Sequence, residues 1–209
     1  KDAEAEDLDT PAPTGRGAEY YKQPALTELG DRLWGFFTRW DAGQPAAEIF
    51  TLDDATGAWQ STGRRIPGFL PFRPPMKLRD GNWIMGGEVF WYDAAVAISR
   101  GDDFTTWEVV KLPRPEEVKL LYPETALVDL GDTLVAICRP REAPTAPMSI
   151  SRDCGRTWAP LWHSNFPAAA TQPYAGRLST GQHYLITGNQ EEGRALMSIA
   201  VTRPGGRVF

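Results

Sequence analysis

The hydrophobic and polar positions of the chain repeat one unit four times. In each unit a proline is followed by a short apolar run, a turn rich in Gly or Asp, and a second apolar run, which is the pattern of a β-hairpin. Spacings of 51, 48 and 50 residues separate the four prolines, which are Pro24, Pro75, Pro123 and Pro173. A constant period of this size indicates a repeat architecture.

A second element keeps the same period. The segment Ser151–Trp158 reads Ser-x-Asp-x-Gly-x-x-Trp, the pattern of an Asp-box turn, and looser copies end at Trp59, Trp107 and Phe209. In such a turn the carboxylate accepts backbone N–H bonds, the glycine allows a tight backbone, and the aromatic ring packs between sheets. We therefore assign the box residues a structural role and no catalytic one.

About 50 residues and four short strands per unit are typical of a propeller blade. The sequence predicts an all-β fold, a β-propeller of four-stranded antiparallel blades, with four blades visible as part of a six-bladed propeller. We expect the blades at about 18–65, 66–118, 119–162 and 163–209. Residues 1–17 are acidic and rich in Pro, Gly and Ala, and are expected to form a linker or loop.

Polar residues recur where each hairpin ends, away from its turn. Residues of a hairpin pair when their numbers sum to a constant set by the turn. Taking a two-residue turn in each blade, this rule predicts the pairs Glu124 with Arg139, Arg73 with Glu88, Gln172 with Asn189, and Lys22 or Gln23 with Arg39 or Thr38. These ends converge on the propeller axis, and a polar rim around a central depression is the default ligand site. The same pairs are equally compatible with ordinary cross-strand salt bridges.

The segment Glu124–Arg139 resembles a segment of the sialidase superfamily, in which a Glu opens a strand and an Arg follows about fifteen residues later. Asn189–Arg194 resembles the family's next arginine segment, one blade further on. The likeness covers residues 18–209. No segment matches the family's first arginine, its acid/base aspartate or its nucleophilic tyrosine.

The resemblance implies that Glu124 is the base that activates a tyrosine nucleophile, and that Arg139 and Arg194 grip a substrate carboxylate. Guanidinium groups bind carboxylates bidentately, and a tyrosine with a pKa near 10 needs a neighbouring base to attack at neutral pH. Arg73, Glu88 and Asn189 join them as candidate substrate-binding residues. Tyr122 and Tyr174 flank the rim prolines and are either sugar-stacking or packing aromatics.

Three functions remain open. The first is a sialidase-like glycoside hydrolase that acts on an acidic sugar. The second is a propeller polysaccharide lyase on uronates, which needs a His/Tyr pair beside Arg139. The third is a propeller that binds a glycan or a protein without catalysis.

Composition narrows the partners further. The 209 residues carry a net charge of −5, which argues against nucleic acid. There is no apolar stretch long enough to span a membrane. Cys138 and Cys154 are expected to be free thiols, and two isolated histidines, His163 and His183, predict no metal site. No cofactor is expected. His183 and Tyr184 should lie at the turn edge, away from the rim. The compartment stays open, with a secreted or periplasmic location favoured.

Overall fold

The computed structural model describes residues 18–20, 24–41, 43–188 and 196–207. Within these residues the secondary structure consists of antiparallel β-strands and contains no helix. The expected linker at 1–17, the candidates Lys22, Gln23, Asn189 and Arg194, and Phe209 of the last Asp-box copy lie outside the described residues. No helix long and apolar enough to cross a membrane occurs in the described part of the chain.

Four antiparallel sheets follow one another along the chain as the blades of a propeller, which confirms the predicted fold class. The first comprises β1 (Ala18–Tyr20), β2 (Ala25–Leu29), β3 (Arg32–Asp41), β4 (Gln44–Asp53) and β5 (Ala58–Pro67). The second comprises β6 (Phe69–Pro71), β7 (Met76–Lys77), β8 (Trp83–Val89), β9 (Asp93–Arg100) and β10 (Asp103–Lys111). The third comprises β11 (Ala126–Asp129), β12 (Leu134–Ile137), β13 (Thr145–Ser151) and β14 (Trp162–Pro167). The fourth comprises β15 (Tyr174–Arg177), β16 (His183–Gly188) and β17 (Met197–Val201).

In the first two sheets the innermost strand is interrupted. β1 and β2 both pair with β3, and β6 and β7 both pair with β8. The second interruption falls at Phe72–Pro75, where Pro74 and Pro75 have no N–H to donate to the ladder. The innermost strand of the second blade is therefore partly irregular, which frees the side chains of Phe72–Pro75 from the strand register.

The core lies between neighbouring sheets. Phe36, Ile49 and Phe69 belong to the cluster between the first and second blades, and Ile84, Leu134 and Trp158 to that between the second and third. Leu185 and its neighbours fill the space between the third and fourth. Each sheet thus buries its alternate apolar residues against the next sheet, which holds the inner strands in a fixed relation.

The Asp-box predicted at Ser151–Trp158 is confirmed as a structural turn. Desolvation alone would raise the pKa of Asp153, but hydrogen bonds from Thr157 and Ser151 outweigh it and lower that pKa to about 2. The Asp153 carboxylate accepts the Thr157 backbone N–H at 2.9 Å and the Ser151 hydroxyl at 2.8 Å. The Trp158 indole donates to the Gly155 carbonyl at 2.8 Å and is buried between the blades. The box lies at the hairpin-turn edge, since Ser151 pairs with Leu134.

Hairpin turns differ in length between blades, and this corrects two predicted registers. In the first and third blades the turn has two residues, as predicted, with Leu130 N–H donating to Thr133 O at 2.9 Å. In the second and fourth blades it has three, because the Leu78 N–H bonds to Asn82 O and the Leu178 N–H to Gln182 O. The pairing of Arg73 with Glu88 is wrong, since Glu88 pairs with Leu70, and the register of the fourth blade is displaced by one residue from the predicted one, with Tyr174 opposite Ile186.

Candidate functional site

Glu124 and Arg139 lie opposite one another at the inner edge of the third blade, as predicted. Ala126 pairs with Ile137, so the same register brings residue 124 to residue 139. The Arg139 N–H donates to the Pro123 carbonyl at 2.7 Å, and its Nη1 donates to Glu124 Oε2 at 3.1 Å. Both side chains are mostly but not fully buried, so the pair is shielded from water yet reachable from the rim.

Glu88 approaches this pair from the second blade, although not through the predicted pairing. It lies opposite Leu70, because the break in the inner strand shifts the register by two residues between β7 and β6. Gly86 permits close approach of the neighbouring blade, since a Cβ there would collide with the Thr125 carbonyl. The Glu124 backbone N–H consequently donates to Glu88 Oε2 at 3.3 Å.

The Glu88 carboxyl is fully buried. Its pKa is raised from 4.5 to about 7, mainly by desolvation and also by the charge of Glu124, while the hydrogen bond from the Glu124 N–H and the charge of Arg139 act in the opposite direction. Two carboxyl groups with unequal environments therefore share the rim. Such a pair can hold one proton near neutral pH.

Arg73 reaches across the rim from the second blade to the fourth. It stands in the irregular segment Phe72–Pro75, where two extra residues on the inner strand separate it from Glu88. Its guanidinium donates to the carbonyl of Pro173 and lies 3.9 Å from the centroid of the Tyr174 ring. Desolvation lowers the pKa of Arg73 to about 10, and the nearby acidic groups of Tyr174, Glu124 and Tyr184 offset part of that effect.

The fourth blade contributes two stacked tyrosine rings, one of which corrects the sequence analysis. Tyr184 starts near the hairpin turn, but its ring stacks on Tyr174 with centroids 6.2 Å apart. The physical reason is Gly176, the cross-strand partner of Tyr184. A Cβ there would stand 2.5 Å from the Tyr184 hydroxyl oxygen, so only a glycine leaves room for the ring to lean toward the rim.

Several buried polar atoms at this edge lack a hydrogen-bond partner among the described residues. They are Arg73 Nε, Glu88 Oε1, Arg139 Nε and Thr187 Oγ1. Buried polar groups are nearly always paired, so a cluster of unpaired ones is expected where a ligand or water binds. This rim holds both donors and acceptors, which suits a ligand rich in hydroxyl and carboxyl groups.

Backbone strain collects at the same place. Glu124 and Tyr122 have φ values of 37° and 53°, in the left-handed region that non-glycine residues rarely adopt. The Tyr122 ring lies beside the Arg139 guanidinium group, whose Cζ atom is 5.7 Å from the ring centroid. Residues held in this conformation are concentrated at functional sites, where the surrounding structure enforces them.

The first blade carries an ion cluster that sequence reasoning did not identify. Arg39 pairs with Tyr20 rather than with Lys22, and its guanidinium donates to Glu48 Oε2 at 2.8 Å. Glu48 is buried and also accepts from the Ser61 hydroxyl at 2.8 Å. The only sequence signal was a lone Glu within the apolar run Ala46–Phe50.

The two histidines and the two cysteines were not predicted to belong to the site. His183 lies at the turn edge, where it pairs with Arg177, and His163 lies on the outermost strand of the third blade. Cys138 and Cys154 are free thiols, and burial raises the pKa of Cys138 to about 12. No group of three or more potential metal ligands occurs in the part of the chain that the structure describes.

The comparison with known families agrees with this architecture. A model of the BNR repeat-like domain matches residues 11–209, nearly the whole chain. The chain belongs to the BNR repeat-like domain family. The predicted BNR-repeat propeller is thereby confirmed, and sialidases are among the solved structures that share its fold. No curated protein matches the sequence significantly.

Solved structures share the fold at low sequence identity. A protein of unknown function from Dyadobacter fermentans DSM 18053 has a TM-score of 0.59 at 16% identity, over 87% of this chain and 64% of its own. The Hadza microbial sialidase Hz136 has a TM-score of 0.61 at 15% identity, over 88% and 43%. RS223-Beta-xylosidase has a TM-score of 0.58 at 12% identity, over 88% and 71%. The chain thus spans less than two thirds of the first two, and the fold alone does not decide the substrate.

Proposed function

We propose that this chain forms the acidic-sugar site of a sialidase-like glycoside hydrolase. The proposal rests mainly on the burial and the hydrogen-bond partners of the Arg73 guanidinium group. Its guanidinium is largely buried and, within the described residues, makes no ion pair with a carboxylate. A largely buried cation that is not directly paired with a carboxylate is costly, and an anionic ligand at the rim relieves that cost.

Arg73 and Arg139 are the proposed carboxylate clamp. They come from adjacent blades. In each, the Nε atom is buried and has no hydrogen-bond partner among the described residues. Guanidinium groups bind a carboxylate through two parallel hydrogen bonds, which fixes its orientation as well as its position. Arg194 joins the clamp by resemblance to the sialidase superfamily.

Glu124 is the proposed base. In the family that the chain resembles, this glutamate activates a tyrosine nucleophile for a retaining mechanism. Its ion pair with Arg139 at 3.1 Å fixes the position of the carboxylate at the rim. The raised pKa of Glu88 keeps a second, protonatable carboxyl beside it.

Tyr122 provides one observation in favour of a second function. A polysaccharide lyase on uronates uses an arginine to neutralise the carboxylate and a tyrosine for proton transfer. Tyr122 lies over Arg139, but neither described histidine is close to that pair. The hydrolase is therefore the better supported of the two.

Hydrolysis of an aryl sialoside by the whole protein tests the proposal. We expect turnover that Glu124→Gln lowers at least 100-fold, since general base catalysis contributes roughly 10²–10⁴-fold. Glu142→Gln is the matched control, because Glu142 is exposed and pairs only with its neighbour Arg141. Equal turnover by Glu124→Gln and wild type would remove Glu124 from the mechanism. Cleavage of a polyuronate with formation of an unsaturated product would identify the lyase instead.

A further inference from the structure

Three consecutive aromatic residues form the turn between β8 and β9. Turns are usually built from Gly, Pro, Asn, Asp and Ser, whereas this one reads Phe90-Trp91-Tyr92. Phe90 and Tyr92 are 44% and 53% exposed, so they contribute little to the core. The Phe90 ring lies over Gly68, but burial in the core does not account for two largely exposed aromatic side chains at this turn.

The backbone of this turn is strained. Phe90 and Trp91 have φ values of 49° and 65°, and bulky residues rarely adopt this left-handed conformation. A glycine at either position would remove the strain. Strained aromatic residues kept in an exposed turn indicate a function for their rings, because folding alone favours their replacement.

The rings continue into a row that ends at the candidate site. Trp40 of the first blade stacks on Trp91 with centroids 4.8 Å apart, and Trp91 lies 6.1 Å from Tyr122. The Tyr122 N–H donates to the Trp91 carbonyl at 2.7 Å, which holds the two turns together. Tyr122 in turn lies beside Arg139. We call Trp40, Phe90, Trp91, Tyr92 and Tyr122 the aromatic row.

We propose that the aromatic row binds the further sugar units of an oligosaccharide whose acidic unit lies at Arg73 and Arg139. The inference rests on the proposed function. Flat aromatic faces stack on the C–H faces of sugar rings, and the row is continuous with the arginines. It also borders hydrogen-bonding groups, since Asp93 next to Tyr92 pairs with Lys111 at 2.8 Å. A ligand with both apolar ring faces and hydroxyl groups matches this combination.

Binding measurements with the whole protein test the aromatic row. The probes are N-acetylneuraminic acid, 3′-sialyllactose and lactose, titrated by calorimetry. We expect 3′-sialyllactose to bind at least tenfold more tightly than the monosaccharide in the wild type. In Trp91→Gly and in Tyr92→Ser this ratio should fall to near one. Glycine suits the positive φ of Trp91, and Tyr92 is exposed, so both variants are expected to fold.

Trp162→Ala is the matched control, because Trp162 is an exposed tryptophan on the outermost strand of the third blade. It should keep the wild-type ratio. Equal binding of the oligosaccharide and the monosaccharide by the wild type, or an unchanged ratio in both row variants, would overturn the inference. So would association with phosphatidylserine vesicles that Trp91→Gly abolishes, because the occupant would then be a membrane.

The proposed function and the aromatic row can fail separately. If the monosaccharide does not bind but lactose does, and Trp91→Gly abolishes that binding, the row stands and the acidic-sugar site fails. If the monosaccharide binds and the row variants leave the oligosaccharide ratio unchanged, the acidic-sugar site stands and the row fails. If none of the three sugars binds, both fail.

Discussion

At the scale of single residues, the rim of this propeller is built from ionisable groups that water would stabilise better than the protein does. Desolvation raises the pKa of Glu88 and lowers that of Arg73. Both side chains leave a buried polar atom without a partner among the described residues. Groups in this state are common where a ligand completes the hydrogen bonds, and perturbed pKa values point to the same kind of site.

Glu88→Gln should change how stability depends on pH. The folded-state pKa of Glu88 lies above its ordinary value, so between about pH 4.5 and 7 the native state binds more protons than the unfolded state. The free energy of unfolding of the wild type should therefore fall over that window, by up to about 3 kcal/mol from this group. Glutamine does not titrate but still accepts the Glu124 N–H, so the variant should lack this fall.

Urea unfolding at pH 5 and pH 8 measures the effect. Glu108→Gln, at an exposed glutamate of β10, should follow the wild type. If Glu88→Gln loses as much stability between the two pH values as the wild type does, Glu88 is not the group that binds the proton.

At the scale of elements, the Asp-box turns stabilise the hairpin-turn edge of the sheets. The polar rim lies at the opposite edge of the same strands. Asp153 accepts three hydrogen bonds, and Trp158 fills the core between the second and third blades. Cys154 and Gly155 supply the positive φ values of 59° and 84° that close the turn. The box is thus a stability element placed far from the polar rim.

Asp153→Ala should lower the free energy of unfolding by about 2 kcal/mol, because it removes charge-assisted hydrogen bonds from Thr157 and from the buried Ser151 hydroxyl. Asp54→Ala, at an exposed carboxylate in the corresponding turn of the first blade, should change stability by less than about 0.5 kcal/mol. Denaturant unfolding of the two variants checks the difference. Equal stabilities would mean that the Asp153 bonds contribute nothing net.

The sequence was sufficient for the repeat, the Asp-box and the pairing of Glu124 with Arg139. In the second and fourth blades it failed partly because turn length was taken as uniform, and in the first and second blades the register also shifts by two residues along the innermost edge. The signal was present: Gly30 and Gly131 come first in two-residue turns, whereas Gly81 and Gly181 come third in three-residue turns. The position of the glycine marks where the turn has a residue in the left-handed conformation. That position differs between two-residue and three-residue turns, so it indicates the loop length.

Other features of the site depend on contacts between blades, which no local pattern encodes. Arg73 reaches Pro173, a hundred residues away, only because the proline pair releases it from the strand. Tyr184 reaches the rim only because Gly176 lies opposite it. The sequence pattern predicted Arg73 at the rim but gave it the wrong partner, and it predicted Tyr184 at the hairpin-turn edge.

At the scale of the whole molecule, the repeat separates stability from chemistry. Each blade places its hairpin turn and its Asp-box at one edge, and the start of its inner strand at the other. Inter-blade packing then brings Arg73, Glu88, Glu124, Arg139 and Tyr174 together from three blades. A fold of this kind hosts different reactions, so the central proposal concerns the chemistry of the rim, which we propose binds a carboxylate.

The affinity of the whole protein for an acidic sugar and for its methyl ester tests that claim most directly. Esterification removes the negative charge and leaves the rest of N-acetylneuraminic acid unchanged. We predict that the free acid binds at least tenfold more tightly than the ester, and that Arg73→Met and Arg139→Met each abolish this preference. Arg152→Met, at an exposed arginine of the Asp-box, should retain it. Equal affinity of the wild type for acid and ester would contradict the carboxylate clamp.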